Sequence, residues 1–411
     1  MKDKIILLSD RVAEYSLYLL IFFLPFAKAG VKNCFAFAFL AWITKRLLGY
    51  RAKGLWGLFP ATELNKPLLA FILVNAFAVI MCVNFIPSIG PFFSKFLKYI
   101  FMFFIVVDTI NTEKRIKNLL AVVIFSALFI SADAATQYFR GVDFLRGYPI
   151  SGQRLTASFQ NPNSFGEWLI MVIFITLGLL LTMQPGKFIL KRLGLSILAF
   201  ILMLLIGLTY SRGAWIGFLA GLIIIVAYKI SRSSKRARTL LALLIIMFVI
   251  GIFFLLPSAI KERIVSVGTI EGSGLVRLKL WQGALGIIKD FPLFGAGLNT
   301  YASVSLRYSI PGEEGYSYAH NSYLQMAAET GLAGLACFLW ILVKFFRLEF
   351  RALLLRDSPL WGYSLGLLAG ISAFLVHGFF ESNLYSFQLA TLFWFMLGLA
   401  ISTQRTIFSS K

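Results

Sequence analysis

Charged residues are scarce in this 411-residue chain, and acidic residues are the rarer part of them. Only 14% of the residues are charged, with 18 Asp and Glu against 39 Lys and Arg, whereas 59% are hydrophobic. A soluble globular domain is about 25% charged and roughly 45–50% apolar, and a disordered chain is poorer still in apolar residues. The composition excludes both classes and indicates a polytopic membrane protein.

Cysteine and histidine are also rare, which limits the kinds of site that the chain can build. The three cysteines, Cys34, Cys82 and Cys337, lie in apolar segments and form no Cys-x-x-Cys pair. An odd number of isolated cysteines predicts neither a disulfide framework nor a zinc site. The two histidines, His320 and His377, lie on separate segments and do not favour a zinc site either.

Two motifs of phosphate chemistry are missing. The sequence has no P-loop and no Asp-x-Asp. Mg²⁺ or Mn²⁺ at a diphosphate usually needs carboxylates, and the adjacent acidic pair Glu313-Glu314 lies in a Pro- and Gly-rich stretch typical of a solvated turn. We expect no metal and no cofactor, so arginines would have to neutralise a diphosphate substrate.

Long apolar runs dominate the chain. A lipid-exposed span must satisfy its own backbone hydrogen bonds, and these runs are too long and continuous for barrel strands. We predict an all-α polytopic membrane protein of about twelve transmembrane helices, forming one integral membrane domain over residues 1–411. The runs lie near residues 13–29, 31–48, 66–85, 90–110, 116–136, 164–183, 193–210, 213–230, 239–257, 323–343, 360–380 and 384–402.

The lysines and arginines support this topology and account for the net charge of +21. With both termini in the cytoplasm, most of them fall in inner segments, as the positive-inside rule requires. The basic run 229–238 is the firmest anchor. We therefore predict no nucleic-acid partner. The start, with Ala27-Lys28-Ala29 after an apolar run, is similar to a cleavable signal peptide, but first spans share these features, and we expect it to remain as a helix.

Two outer segments interrupt the apolar runs, one over residues 137–163 and a larger extracytoplasmic loop over residues 258–322. A loop as long as the second is usually functional. Within it, four apolar residues recur at helical spacing: Leu278, Trp281, Leu285 and Ile288. This spacing predicts an amphipathic helix that lies on the outer membrane surface.

A few polar residues on the outer side could carry chemistry. His320 ends the long loop, and an unperturbed histidine changes charge near neutral pH, as a general base must. The alternative role of His320 is structural, as an interfacial histidine that is hydrogen-bonded to the backbone. We expect this structural role for His377, which has Glu381 four residues on. Arg212 lies in a short outer turn, where its planar fork suits phosphate unless it only snorkels to the headgroups. Arg277 could reach the same region.

Four stretches together resemble the O-antigen ligase and polymerase superfamily of bacterial envelope glycan synthesis. The last of them matches the ligase pattern of His320 and Asn321, nine residues, Gly331, two residues and Gly334. The resemblance covers roughly residues 150–400, and the first 130 residues carry no recognised motif. The stretches are GQRLTASFQNPNSFGEWL (152–169), LTYSRGAWIGFLAG (208–221), RLKLWQGALGIIKDFPLFGAGLNTY (277–301) and HNSYLQMAAETGLAG (320–334).

The resemblance implies a metal-independent glycosyltransferase of the GT-C type in the bacterial inner membrane. It would move a glycan from undecaprenyl diphosphate to a sugar hydroxyl of a glycolipid acceptor on the outer face. His320 would be the general base, and Arg212 and Arg277 would hold the diphosphate. A single base without a carboxylate nucleophile fits inversion. The residues expected to contact substrates are Arg154, Asn161, Asn163, Ser211, Trp281, Asn321, Tyr323 and Glu329.

Three alternatives remain open from the sequence. We expect a ligase with lipid A core as acceptor, and a polymerase would use another lipid-linked glycan instead. A lipid-linked glycan transporter would place ionisable groups near the midplane of paired halves, and the sequence shows no such symmetry. A passive structural membrane protein would not need Arg212 in its outer turn. Membrane lipids are expected partners in each case.

Overall fold

The computed structural model describes residues 1–49, 55–183, 188–231, 273–308, 318–355 and 358–409. This part of the chain is helical apart from its turns and two isolated β-bridges. The longer helices are α1 (Lys2–Phe23), α2 (Lys28–Gly49), α3 (Asn65–Ile80), α4 (Phe85–Thr109, with a π-helical turn at Phe92–Leu97), α5 (Glu113–Arg140), α6 (Pro162–Thr182), α7 (Ile189–Leu208), α8 (Arg212–Ser231), α9 (Ser273–Asp290), α10 (Ser322–Leu354), α11 (Trp361–His377) and α12 (Phe387–Ser409).

Seven of the described helices are long and apolar enough to cross a membrane: α4, α5, α6, α7, α8, α10 and α12. Two shorter apolar helices, α3 and α11, pack among them. Eleven of the twelve predicted apolar runs overlap a described helix, and the run 239–257 lies outside the described residues. The protein is therefore an all-helical, multi-pass membrane protein, while the count of twelve spans stays a prediction.

Helices α6 and α11 form the tightest pair near the centre of the bundle. A Cβ on Gly366 of α11 would overlap the backbone of Phe174 in α6, and one on Gly178 would overlap the backbone of Gly362. Lipid tails are as apolar as leucine, so helices in a membrane associate through close backbone approach at small residues. This contact fixes the end of α11, at His377, relative to the start of α6.

Six charged side chains of α1, α2, α4 and α5 form a cluster at one end of the bundle, which we call the ion-pair cluster: Asp10, Glu14, Asp108, Lys45, Arg46 and Arg115. Lys45 Nζ lies 2.6 Å from Asp10 and 3.0 Å from Asp108. Arg115 lies 2.5 Å from Asp10 and 2.9 Å from Glu14. Three acids thus face three bases, and these pairs tie α1, α2, α4 and α5 together.

The chain between α5 and α6, within the predicted outer segment 137–163, folds back on the bundle. α5 ends at Gly141, whose φ of 78° is left-handed. The buried side chain of Gln137 donates a hydrogen bond to Thr156 Oγ1 and accepts one from the backbone N–H of Thr156. The N–H of Leu155 donates to the carbonyl of Leu208 at the end of α7. These bonds hold Arg154, the residue before Leu155, beside the α7–α8 turn.

Candidate functional site

A cavity of about 230 Å³ lies where these helix ends meet, and we call it the arginine cavity. It brings together the three residues predicted to be catalytic, His320, Arg212 and Arg277, with three of the predicted contact residues. The polar side chains on its wall are Arg154, Asn163, Tyr210, Ser211, Arg212, Arg277, His320, His377 and Glu381. All four recognised stretches contribute to it.

The α7–α8 turn places Arg212 at the cavity. Tyr210 has a left-handed φ of 50°, which reverses the chain after α7. The buried Ser211 then accepts a weak bond at 3.4 Å from the N–H of Ala214, and Arg212 is the first residue of α8. Gly213 packs against His377, because a Cβ there would lie 2.9 Å from the histidine ring. The Ser-Arg-Gly sequence therefore combines a helix start, a cation and a close packing contact.

Arg154 reaches the cavity through two partners. Its Nε donates to the carbonyl of Thr209 at 2.9 Å, and its Nη2 donates to Asn163 Oδ1 at 2.7 Å. Asn163 in turn donates from Nδ2 to Glu381 Oε1 at 2.5 Å. The first two recognised stretches are thus joined to each other and to the turn between α11 and α12.

Arg277 comes from α9, the predicted helix of the long loop. The face of α9 that packs on the protein carries Leu280, Ala284 and Ile287, which are at most 7% exposed. These residues follow Arg277 at i+3, i+7 and i+10, so Arg277 lies on the same side of the helix. Packing of this apolar face against the turn that contains Tyr301 directs Arg277 into the cavity.

The predicted apolar face of α9 is a different one. Leu278 and Leu285 are exposed, and Trp281 and Ile288 are half-buried. Trp281 does not line the arginine cavity. That face was predicted to lie on the outer membrane surface, which stays a prediction, and α9 has a second apolar side that packs on the protein.

His320 is held by the segments on either side of it and by the α11–α12 turn. Its φ of 49° is left-handed, and the next residue, Asn321, caps α10 by accepting from the N–H groups of Tyr323 and Leu324 at 3.0 Å each. The N–H of Ser322 donates to the carbonyl of Gly378 at 2.8 Å. His320 is thus fixed at the start of α10 with about 30% of its side chain exposed.

Glu381 is the common partner of the site. Its Oε2 lies 2.8 Å from His320 Nδ1, and its Oε1 accepts from Arg277 at 3.0 Å and from Asn163. Burial alone raises the pKa of Glu381, but the hydrogen bond and charge of His320, together with Arg277, outweigh it and lower the pKa to about 2. An ionised carboxylate only accepts hydrogen bonds, so His320 Nδ1 carries the proton that it shares with Glu381.

Sequence reasoning missed Glu381 as part of the site and expected an interfacial role for His377. His377 is fully buried beside the cavity, with Nδ1 3.1 Å from Glu167 Oε2. The four-residue spacing of His377 and Glu381 was visible in the sequence, but this spacing is not what joins them to the site. Glu381 reaches His320 across 61 residues of chain, a contact that no local pattern indicates.

Three predicted contact residues have structural partners elsewhere. Asn161 caps α6 by accepting from the N–H groups of Asn163 and Ser164, as Asn321 caps α10. Tyr323 donates to the carbonyl of Leu375 at 2.7 Å. None of the three lines the arginine cavity. Their contact with substrate stays a prediction.

Glu329 also lies away from the arginine cavity. It is buried in α10 and accepts from the N–H groups of Asn299 at 2.7 Å and Tyr301 at 3.3 Å. Two residues on, Gly331 has a left-handed φ of 71°, and a Cβ there would overlap the carbonyl of Leu293. Glu329 and Gly331 therefore dock the turn that follows α9 onto α10, which supports the position of α9 and its Arg277.

Comparison with known proteins adds a family to this geometry. No curated protein matches the chain. A family model described as O-antigen ligase matches residues 197–339, which run from α7 into α10 and include Arg212, Arg277 and His320. This match supports the assignment of residues 197–339 to the O-antigen ligase and polymerase superfamily.

Proposed function

We propose that the protein is an inverting, metal-independent glycosyltransferase that joins a glycan from undecaprenyl diphosphate to lipid A core. The superfamily supports glycosyl transfer of the ligase or polymerase type. The observation that carries the proposal is the pairing of His320 with the ionised Glu381 on the wall of a cavity with three arginines.

The pair suits His320 to act as the base. Because Glu381 holds the proton on Nδ1, the Nε2 nitrogen is the basic position of the neutral ring. An acceptor hydroxyl would give its proton to Nε2 as its oxygen forms a bond to the anomeric carbon. Proton removal by a positioned side chain typically contributes 10²–10⁴-fold to a rate.

The arginines suit the departing diphosphate. As the bond between the anomeric carbon and the phosphate oxygen breaks, its electron pair leaves with the diphosphate, which gains negative charge. Among the described residues on the cavity wall, three arginines face the single carboxylate of Glu381. Fixed cations aimed at developing charge are usually the largest contribution to such a step. No second carboxylate is placed beside His320 on this wall, which supports a single displacement with inversion.

The membrane setting fits a lipid-linked substrate. The site lies at helix ends, where a headgroup diphosphate is accessible, and not at the centre of the spans. We propose that this end faces the outside of a bacterial inner membrane, with both termini in the cytoplasm, and that the membrane lipids surround the helices.

The test is transfer by the purified protein with undecaprenyl-diphosphate glycan, with and without lipid A core. Wild-type protein should consume donor only when lipid A core is present, and His320→Ala should lower the rate by at least 10²-fold. Lys289→Ala, a change at an exposed residue of α9, is the matched control and should transfer at the wild-type rate. Chelation with EDTA should leave the wild-type rate unchanged.

The other outcomes identify the alternatives. A His320-dependent ladder of longer lipid-linked chains, formed without lipid A core, would show a polymerase. Full activity in folded His320→Ala would remove the assigned base. Donor that stays unchanged in every mixture, while intact lipid-linked glycan crosses the membrane of a vesicle, would show a transporter.

A further inference from the structure

A second cavity, of about 380 Å³, shares His320 and Glu381 with the arginine cavity, but the described residues on its wall include no arginine. We call it the lysine cavity, because Lys28 at the start of α2 and Lys95 in α4 both line it. Ligand pockets commonly measure about 300–1,000 Å³, so its size suits part of a glycan. The His320–Glu381 pair therefore borders two cavities of different chemistry.

Two lysines and two carboxylates line the lysine cavity. Its two carboxylates already have cationic or polar partners, because Glu381 binds His320 and Arg277, and Glu167 lies beside His377. In the described part of the chain, neither Lys28 nor Lys95 forms an ion pair, and Lys95 instead donates to Asn299 Oδ1 at 2.9 Å. Each ammonium group is thus available to an anion.

Two more lysines lie at the same edge. Lys98 Nζ lies 4.4 Å and Lys32 Nζ lies 5.7 Å from the ring centre of Phe387, which lines the cavity. Four ammonium groups near one opening create a positive potential that attracts anions and extends beyond direct contact.

The wall also carries an unpaired buried polar group. Ser382 is 9% exposed, and its buried Oγ has no hydrogen-bond partner in the described structure. A buried hydroxyl without a partner destabilises the protein, so a ligand group that bonds to it would satisfy a polar atom that the described structure leaves without a partner. Tyr99 and Tyr385 add aromatic surface to the same wall. Cations, a buried hydroxyl and aromatic rings together describe a site for an anionic sugar.

We propose that the lysine cavity is the acceptor site and that it selects an acceptor sugar carrying phosphate or carboxylate close to the reacting hydroxyl. This inference rests on the proposed transfer, in which the arginine cavity holds the diphosphate. A base must contact the acceptor hydroxyl from the opposite side to the leaving group. His320 borders both cavities, so an acceptor in the lysine cavity meets this condition.

The experiment measures acceptor and donor KM separately, in nanodiscs of phosphatidylcholine alone so that no anionic headgroup competes for the lysines. The acceptors are lipid A core, the same core after dephosphorylation, and the same core after reduction of its carboxylates. The variant is Lys28→Gln/Lys95→Gln, and Lys289→Gln is the matched control that removes an exposed charge elsewhere. Thermal unfolding with each acceptor but no donor reports binding independently of transfer.

The double variant should raise the KM for intact core about tenfold and leave the donor KM and kcat within about twofold. Removal of the anionic group that the lysines contact should raise the wild-type KM by a similar factor and abolish the difference between variant and wild type. The dephosphorylated and reduced acceptors identify which group this is. The intact core should also raise the unfolding temperature of wild type more than that of the variant.

Three results would overturn the inference. The first is an unchanged acceptor KM in the double variant, and the second is a rise in the donor KM instead. The third is an unfolding temperature that the intact core raises equally in wild type and variant, or raises in neither. Each can occur while His320-dependent transfer persists, which leaves the proposed function standing. Loss of the proposed function itself would appear as wild-type protein that transfers to no acceptor, and the thermal measurement would still decide the site.

Discussion

The ion-pair cluster and the arginine cavity are both rich in charge, but they differ in balance. In the cluster, three carboxylates face three cations at 2.5–3.5 Å. In the described wall of the cavity, three arginines face one carboxylate, Glu381. Helix α5, which has 28 residues and is therefore about 42 Å long, begins at the cluster and ends near the segment that carries Arg154.

The difference in balance separates two uses of charge. The balanced charges of the ion-pair cluster neutralise one another, and their role is to hold helices together. A set with excess cations leaves charge that a substrate can neutralise, which is what sites for phosphate require. Burial alone would not distinguish them, because Asp108 and Arg115 of the cluster and Arg277 and Glu381 of the cavity are all 13–22% exposed.

Removal of a cation from the cavity gives the largest expected effect on activity. Arg277→Gln should lower kcat/KM for glycan transfer by about 10²–10³-fold, the typical cost of losing one group that stabilises the departing charge. Arg277→Lys should recover part of the rate, since it keeps the charge but not the planar fork. Both variants should unfold within a few degrees of wild type. Wild-type kinetics in Arg277→Gln would show that the excess cations of the arginine cavity do not serve the transfer.

Loss of the common partner should reduce activity by about 10²-fold and alter the dependence of stability on pH. Glu381→Gln keeps the size of the side chain but no longer favours the proton on His320 Nδ1, a positioning role. The ordinary pKa of glutamate is 4.5 and that of folded Glu381 is about 2. Its ionised form therefore stabilises the fold above about pH 4.5, and this contribution is lost as the pH falls toward 2.

The measurement for this variant is thermal unfolding in detergent between pH 7 and pH 3. The gap in unfolding temperature between wild type and Glu381→Gln should narrow as the pH falls from about 4.5 toward 3. A gap that stays constant, or one that widens in acid, would contradict the assigned pairing. Lys289→Gln, with its charge removed far from Glu381, should follow the wild-type curve.

Removal of a cation from the balanced cluster should affect stability instead of transfer. Arg115→Gln leaves Asp10 and Glu14 short of a partner and should lower the free energy of unfolding by about 1–3 kcal/mol, the cost of an unsatisfied buried group. The donor KM should not change, because the cluster lies at the other end of the bundle. A donor KM that rises as much as in Arg277→Gln would show that the ion-pair cluster and the arginine cavity are not separate in function.

Binding of an added anion should also distinguish the arginine cavity from the ion-pair cluster, and it is the smallest of the expected effects. Inorganic pyrophosphate at about ten times its Kd should stabilise wild-type protein by about 1.4 kcal/mol, because it binds the folded state only. The shift should disappear in Arg277→Gln and persist in Arg115→Gln. Equal shifts in all three proteins would place the bound anion outside the arginine cavity.

Much of the fold could be predicted from the sequence, because apolar runs of helix length are a strong signal. Less of the site could be predicted. Arg212 and His320 stood out as isolated polar residues on the outer side, Arg277 as a cation that could reach the same region, and the family resemblance implied a role for each. Glu381 did not stand out, since its role depends on contacts with Arg277 and Asn163 that span 104 and 218 residues of chain. The sequence analysis also singled out the face of α9 predicted to lie on the membrane and did not single out the second apolar face, which packs on the protein.

The position of Glu381 in the chain has a consequence for biosynthesis. A membrane protein is inserted from its N-terminus during synthesis, and Glu381 is the last of the site residues to leave the ribosome. Until the turn between α11 and α12 has formed, His320 lacks its carboxylate, and Arg277 and Asn163 lack the group that joins them. An unfinished chain would therefore hold every recognised motif of the site without its common partner, and under the proposed mechanism it would be inactive until the last helices have been inserted.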